Sequence, residues 1–204
     1  MPWVQAATLS DRGITLRPLT LEDEAGLIAA ASDGELWRLR VTSVPEPENT
    51  RTYIDTALQA WRDGHRLAFA VADSASGKLL GTTSYHDIVP ALKRVEIGYT
   101  WYAKSAQGTA INTEAKYLLM QHWFESRQAN AVEFRTHYLN EASRRAIERL
   151  GAKQDGILRS HQILKDGSIR DTVVYSIIAN EWPAVKNNLQ AKLATFRNAA
   201  NPDA

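Results

Sequence analysis

A stretch of small residues separates aromatic residues from a long amphipathic segment in WYAKSAQGTAINTEAKYLLMQHWFES, residues 101–126. Ala106, Gly108, Thr109 and Ala110 leave the backbone bare just before a predicted helix. Backbone N–H groups in such a turn point outward at the positive end of the helix dipole, and that arrangement binds phosphate. Bulky side chains would hold a phosphate away from the backbone, so the small residues indicate an anion site.

The same loop has a purely structural interpretation. Asn112 would cap the helix, and Thr113 and Glu114 would fill its first turn. Both interpretations remain open from the composition of this loop alone.

The elements that must position this loop alternate along the chain without an internal repeat. We predict a strand over residues 13–19, a helix capped by Thr20, and a second helix that stops at Gly64. The remaining predicted elements are three successive strands (RLAFAVAD, KLLGTTSYHDI, RVEIGYTWYA), the helix after the small residues, a strand (AVEFRTHY), a capped helix (NEASRRAIERLG) and a closing hairpin turned at Asp166–Gly167. This order predicts an α+β fold with a mixed, mostly antiparallel sheet.

Composition excludes several classes of function. The 204 residues are 44% hydrophobic, which suits one well-filled domain. The 24 Lys and Arg residues balance 23 Asp and Glu residues, which disfavours nucleic acid or a membrane surface as partner. There is no cysteine, and the scattered histidines (His65, His86, His137, His161) lack the spacing of a metal site, so we expect no metal. Because there is no signal-like or membrane-spanning segment, we expect a cytoplasmic protein.

The runs VEIGYTW, AKSAQGTAINTEAKYLL and NEASRRAIERLGAKQDGILR resemble the GNAT superfamily of acyl-CoA-dependent N-acyltransferases. Within it, they are most similar to the branch of ribosomal-protein serine and alanine N-terminal acetyltransferases. The resemblance implies a single GNAT-like domain over residues 13–182, an extension over 1–12 and a helical tail over 183–204. It also implies a sheet of about seven strands, splayed at a cofactor slot, with helices on both faces.

The resemblance assigns the small-residue loop to the pyrophosphate of coenzyme A. The family pattern Gln/Arg-x-x-Gly-x-Gly/Ala falls on residues 107–112, with Ala110 in place of the usual glycine, which requires a negative φ there. The preceding strand should carry a bulge and splay from the next strand, so that the pantetheine arm pairs with its free backbone. The implied cofactor-binding residues are Thr100, Trp101, Tyr102, Gln107, Gly108, Thr109, Ala110, Ile111, Asn112, Thr113 and Asn140. For Trp101 and Tyr102, ordinary core packing remains the alternative.

The resemblance also implies two catalytic residues. Glu96, on the strand before the loop, is the candidate base that accepts the proton of the amine, directly or through water. Its alternative is a surface acid paired with Arg94 or a neighbour. Where many relatives carry a tyrosine acid this chain has Ile147, so Ser143 becomes the candidate donor to the departing sulfur, against a solvent-facing helix serine.

The acceptor site is implied between the first two helices. Trp37, Arg38 and Arg40 lie where relatives build an acceptor wall, although Trp37 also suits helix packing. We therefore expect an N-acyltransferase that moves an acetyl group from acetyl-CoA to a primary amine, either a small molecule or a protein N-terminus. Attack would be direct, in a ternary complex, by a monomer or homodimer. The alternative is a noncatalytic acyl-CoA-binding sensor.

Overall fold

The computed structural model describes residues 4–11, 13–39, 44–164 and 166–200. Its centre is one open sheet of eight strands in the order β1-β2-β3-β4-β5-β6-β8-β7. The strands are β1 (Leu9–Ser10), β2 (Ile14–Pro18), β3 (Arg66–Asp73), β4 (Leu79–Val89), β5 (Arg94–Tyr102), β6 (Ala131–His137), β7 (Lys153–Ile163) and β8 (Ile169–Ile178). The α-helices are α1 (Glu24–Ser32), α2 (Thr50–Arg62), α3 (Ile111–Gln121), α4 (Glu141–Leu150) and α5 (Trp182–Ala200).

The sheet is mixed and mostly antiparallel. Of the strand pairs in the described ranges, β5 with β6 is parallel and the others are antiparallel. The predicted α+β class is therefore confirmed. There are eight strands rather than about seven, because Leu9–Ser10 adds a short edge strand beside β2.

Neighbouring residues of β4 show that helices cover both faces of the sheet. The hydroxyl of Thr82 lies 3.1 Å from the hydroxyl of Tyr53 on α2. The hydroxyl of Thr83 accepts a hydrogen bond from Lys116 on α3 at 3.0 Å. Because successive side chains of a strand point to opposite faces, α2 and α3 lie on opposite sides of β4.

A bulge interrupts the pairing of β4 with β5. Thr82 is opposite Trp101 and Ser84 is opposite Gly98, so Tyr99 and Thr100 together face the single residue between Thr82 and Ser84. Tyr99 has a φ of 49°, in the left-handed region that a tyrosine rarely adopts. The predicted bulge in this strand is thus confirmed.

The parallel pairing of β5 with β6 ends early. It runs from Arg94, opposite Ala131, only as far as Glu96, opposite Glu133. From Ile97 onward, no strand of the described ranges pairs with the edge of β5 that faces β6, so the two strands open a slot. The predicted splay is confirmed, and its closed end is at Glu96.

No helix in the described ranges combines the length and apolar character needed to cross a membrane.

Candidate functional site

The loop after β5 turns sharply into α3. A short 3-10 turn covers Lys104–Ala106, and Gly108 then adopts a φ of +76° before α3 begins at Ile111. Ala110 has a φ of −65°, so alanine fits there without strain, as the sequence requires. Ala110 holds the N-cap position, so the interpretation of Asn112 as the cap is wrong.

Most N–H groups of this turn have no partner. Thr109 Oγ1 donates to the carbonyl of Ala106 at 2.7 Å and accepts from the N–H of Ile111 at 3.3 Å. In the part of the chain that the structure describes, five other N–H groups have no acceptor: those of Gly108, Thr109, Ala110, Asn112 and Thr113. They lie at the positive end of α3, so they form a nest suited to a diphosphate.

Gly108 is required by the geometry of this nest. A side chain would be strained at its positive φ, although a Cβ there would have no neighbour within 4 Å. The space above Gly108 is therefore open to a ligand. The predicted residues of the loop thus fit the pyrophosphate of coenzyme A through their backbone.

Two anchors hold the loop in place. The side-chain amide of Gln107 donates to the carbonyl of Tyr102 at 2.9 Å, so this side chain is used within the loop. Ser105 donates from its hydroxyl and its N–H to the carboxylate of Asp33, at 2.5 and 3.2 Å. These hydrogen bonds lower the pKa of Asp33, which keeps the anchor ionised. The loop is thereby fixed to the ends of β5 and α1.

The aromatic side chains before the loop belong to the core. Trp101 is 5% exposed and Tyr102 is 7% exposed, and both join the main hydrophobic cluster. The indole N–H of Trp101 and the hydroxyl of Tyr102 have no partner among the residues described, and burial raises the pKa of Tyr102. Core packing therefore explains the two side chains, and only their backbone remains a candidate for the pantetheine arm.

Glu96 lies buried at the closed end of the slot. Glu96 is only 5% exposed to solvent, and its Oε1 lies 3.4 Å from Nε2 of His86. Its other oxygen, Oε2, lies 3.5 Å from Nε of Arg135 on β6. Arg94 instead pairs with Glu133 at 2.5 Å. The alternative of a surface acid paired with Arg94 or a neighbour is wrong about the surface position and about Arg94, but Glu96 does pair with its neighbours His86 and Arg135.

His86 reaches Glu96 because Gly98 leaves room for its ring. A Cβ at position 98 would lie 2.3 Å from Nε2 of His86, which is closer than any real contact. The edge-on ring of Tyr99, with its centroid 4.8 Å away, holds the other side of the imidazole. His86 was one of several scattered histidines in the sequence, and its position opposite Glu96 follows from the β4–β5 register.

The network around Glu96 extends across β6 and β8. Arg135 also contacts Asp87 at 2.9 Å and Glu133 at 3.2 Å. Burial lowers the pKa of Arg170, and the charge of Glu96 opposes that shift, so the two groups are electrostatically coupled. Sequence reasoning missed Arg135 and Arg170 because their proximity to Glu96 depends on how distant strands pair.

The start of α4 brings two other predicted residues together. The side-chain oxygen of Asn140 accepts from the N–H of Ser143 at 3.1 Å, which is an N-cap. In the described ranges, the amide nitrogen of Asn140 and the hydroxyl of Ser143 have no partner. Ile147 is buried in the core. The cap therefore leaves two polar groups free beside the end of β6.

The predicted acceptor wall is only partly described. Trp37 is half-buried and packs against the core, as in the packing interpretation. The side chain of Arg38 is 71% exposed and forms an ion pair with Glu35 at 3.1 Å. Arg40 lies outside the described residues.

Within the described ranges, no group of three or more His, Asp or Glu side chains has the arrangement of a metal site.

Comparison with known proteins gives consistent matches. Residues 14–153 match the profile of the family described as Acetyltransferase (GNAT) domain. YdaF of Bacillus subtilis (strain 168) is 31% identical over 142 residues, which cover 69% of this chain and 76% of YdaF. Ribosomal-protein-serine acetyltransferase of Escherichia coli (strain K12) is 27% identical over 123 residues, 60% of this chain and 67% of that protein.

Solved structures agree with these matches. The crystal structure of a GCN5-related N-acetyltransferase from Brucella melitensis has a TM-score of 0.84 and 32% identity, over 94% of this chain and 87% of that one. RimJ of Mycobacterium smegmatis, solved in complex with CoA-disulfide, has a TM-score of 0.75 at 23% identity and shows the same fold over 92% of this chain and 93% of its own. The predicted family and activity are confirmed: the chain belongs to the acetyltransferase (GNAT) family and is an acyl-CoA-dependent N-acetyltransferase.

Proposed function

We propose that this enzyme transfers the acetyl group of acetyl-CoA to a primary amine, with a protein N-terminus as its acceptor. The observation that carries the proposal is the slot between β5 and β6, which has a nest of N–H groups at one end and buried Glu96 at the other. The similarity to the Escherichia coli protein named ribosomal-protein-serine acetyltransferase supports the choice of a protein N-terminus as acceptor. An amine that enters near Glu96 would meet the polar cluster of Glu96, His86 and Arg135, which suits a polar peptide terminus.

The backbone holds the donor in this proposal. The free N–H groups of Gly108, Thr109, Ala110, Asn112 and Thr113 bind the diphosphate. The unpaired edge of β5 from Ile97 onward binds the pantetheine amides as a strand would. When bound, acetyl-CoA supplies an activated acyl carbon as a thioester. Such a donor needs no covalent acyl-enzyme, and the chain has no cysteine to form one.

Glu96 serves as the base. A protonated amine cannot attack, so Glu96 takes its proton, directly or through one water. The new bond joins the amine nitrogen to the acyl carbon, and the bond from that carbon to sulfur breaks. The nitrogen loses its second proton as the amide forms, and that proton ends on the departing thiolate, so CoA is released as the free thiol. His86 and Arg135 fix the carboxylate at 3.4 and 3.5 Å. Backbone N–H groups at the bulge of β5 stabilise the negative charge on the acyl oxygen.

Ser143 serves as the donor to the thiolate. Its N–H is engaged by Asn140, whereas its hydroxyl has no partner in the part of the chain that is described. The hydroxyl can therefore donate a hydrogen bond to the sulfur as charge develops there. The buried Ile147 offers no such donor.

A panel of acceptors tests the choice of substrate. Release of free thiol from acetyl-CoA would be followed with peptides that begin with serine or alanine, with the same peptides blocked at the N-terminus, and with polyamines and aminoglycosides. We expect turnover with the free peptides and none with the blocked ones. Turnover with small amines alone would overturn the peptide assignment and leave N-acetylation intact.

The substitution Glu96→Gln tests the base. We expect kcat to fall by about a hundredfold or more, because a positioned general base contributes about 10²–10⁴ in rate. Affinity for CoA should be unchanged, since the anion nest is intact. The matched control is Asp87→Asn, which removes an exposed carboxylate that pairs with Arg135 and should keep most of the activity. Equal losses in the two variants would show that Glu96 acts only by holding Arg135.

A further inference from the structure

Lys116 is a buried lysine on the face of α3 that packs against the sheet. It is 5% exposed and follows Ala115 in a run of buried residues. Its ammonium group reaches β4 and β5, where it donates to the hydroxyl of Thr83 at 3.0 Å and of Thr100 at 2.6 Å. The two hydroxyls lie 2.8 Å apart, and Thr100 also donates to the carbonyl of Gly98 at 3.3 Å. The four groups form one hydrogen-bonded network that runs from buried Lys116 to partly exposed Thr100.

Among the described residues, no carboxylate pairs with the charge of Lys116. An ammonium has three donors, and only two acceptors are found among the described residues, neither of them a carboxylate. Burying a cation without a partner opposes folding, and burial lowers the pKa of Lys116 to about 7. An apolar residue of similar length would fill the same space without this cost. Isolated buried charges of this kind concentrate at functional sites.

The network ends at the bulge that borders the slot. Thr100 is one of the two residues that bulge opposite β4, and its neighbour Tyr99 has the left-handed φ of 49°. Both lie on the part of β5 that has no partner on the side of β6. Lys116 therefore contacts, through Thr100, the backbone to which we assign the acyl group.

We propose that Lys116 is a positioning residue for acyl transfer: through Thr83 and Thr100 it fixes the bulge, and its charge lies beneath the backbone that faces the reacting carbonyl. This inference rests on the proposed function of the slot. A positive charge without a counterion is then stabilised by the negative charge that develops on the acyl oxygen, and it stabilises that charge in turn.

The other titratable groups named here on α3, β4 and β5 do not supply the positive charge that Lys116 brings to the bulge. Tyr85 of β4 and Tyr102 of β5 are buried on the same side of the sheet, and burial raises the pKa of both. Glu114, on α3 itself, accepts a hydrogen bond from the backbone N–H of Gly13. His122, at the end of α3, has a pKa lowered by burial and by the charge of a nearby arginine.

The substitution Lys116→Met tests the proposal in the full-length enzyme. We expect kcat to fall at least about tenfold, as for loss of a preorganised group that stabilises developing charge. The dissociation constant for CoA, measured by calorimetry, should change by less than about threefold, because the diphosphate is held elsewhere. Tyr117→Phe is the control on the same helix, since it removes only the contact of Tyr117 with Gln190 and should keep wild-type kcat.

The pH profile separates positioning from mere packing. Only the protonated amine carries the charge, so its electrostatic contribution should disappear as it loses its proton, even though a neutral amine could still donate to both threonines. The ratio of wild-type kcat to Lys116→Met kcat should therefore fall at least about threefold between about pH 6 and about pH 9. A ratio that stays constant with pH would overturn the proposal.

Two variants of Thr100 test whether the effect passes through the bulge. Thr100→Val removes the hydroxyl and keeps the shape of the side chain, so kcat should fall about tenfold. Thr100→Ser keeps the hydroxyl, so this variant should retain most of the wild-type kcat. Equal activity of the valine and serine variants would contradict a role for the hydroxyl. Absence of turnover in the wild-type enzyme with every amine would instead refute the proposed function, so the two failures are distinguishable.

Discussion

At the scale of single residues, Asn140 uses its two polar atoms for different purposes. Its oxygen caps α4 by accepting from the N–H of Ser143 at 3.1 Å, so that atom explains local structure. Its amide nitrogen has no partner in the described ranges and is the atom that remains for the cofactor. The cap and the contact with pantetheine are therefore compatible proposals.

The substitution Asn140→Asp separates these two roles. Aspartate keeps a cap oxygen and suits the helix N-terminus, so the free energy of unfolding should change by less than about 0.5 kcal/mol. Because the N–H donor is lost, affinity for CoA should fall roughly fivefold, which corresponds to about 1 kcal/mol for one hydrogen bond. Calorimetry and urea denaturation measure the two quantities. Unchanged affinity would limit Asn140 to capping.

The sequence identified some residues of the site but not their partners. Glu96 was a candidate because the family resemblance implies an acid on the strand before the small-residue loop, yet its contacts with His86 and Arg135 depend on strand pairing. Lys116 sits in a helical segment where a lysine is normally assigned to the surface. Its burial follows from the way α3 packs across β4 and β5. Such contacts arise from tertiary structure, which local patterns do not contain.

At the scale of elements, α3 contributes to the slot at two levels. Its first turn presents unpaired N–H groups, and one turn later Lys116 contacts the bulge of β5. The helix was predictable from its amphipathic pattern, and the bulge followed from the family resemblance. The exact start of α3 was not predictable, because Asn112 and the small residues before it can all precede a helix.

The packing of α3 on the sheet should depend on pH through Lys116. Burial lowers the pKa of Lys116 in the folded chain to about 7, from the ordinary 10.5 of an exposed lysine. Between these values the unfolded chain binds more protons, so the free energy of unfolding should rise with pH, by at most about 1.4 kcal/mol per pH unit. Urea denaturation of wild type and Lys116→Met measures this slope.

Lys116→Met is the control for the pH dependence of the free energy of unfolding. Other ionisable groups contribute equally to both proteins, so only the difference between their slopes reports Lys116. We expect wild-type stability to rise relative to Lys116→Met from about pH 7 to about pH 9. Parallel pH dependence in the two proteins would show that Lys116 stays protonated in the folded state.

At the scale of the whole molecule, one interruption of the sheet creates the site. In the described sheet, β5 and β6 are parallel and share three residue pairs, whereas the remaining neighbouring strands pair antiparallel. The strand order could be predicted in outline from the hairpins and the crossover through α3. The small edge strand β1 could not, because two residues carry too little pattern.

The central claim is that the N–H groups before α3 bind the diphosphate of coenzyme A. Ala110→Glu places a carboxylate in this nest and should abolish binding by repulsion, whereas Thr56→Glu adds the same charge on the exposed surface of α2 and should not. The two variants have the same net charge, so long-range effects cancel in the comparison.

Titration calorimetry with CoA on these two variants and the wild-type protein is the most direct test. We predict binding of one CoA per chain to the wild type and to Thr56→Glu, and no detectable heat with folded Ala110→Glu. Binding of CoA to Ala110→Glu with wild-type affinity would contradict the assignment of this loop.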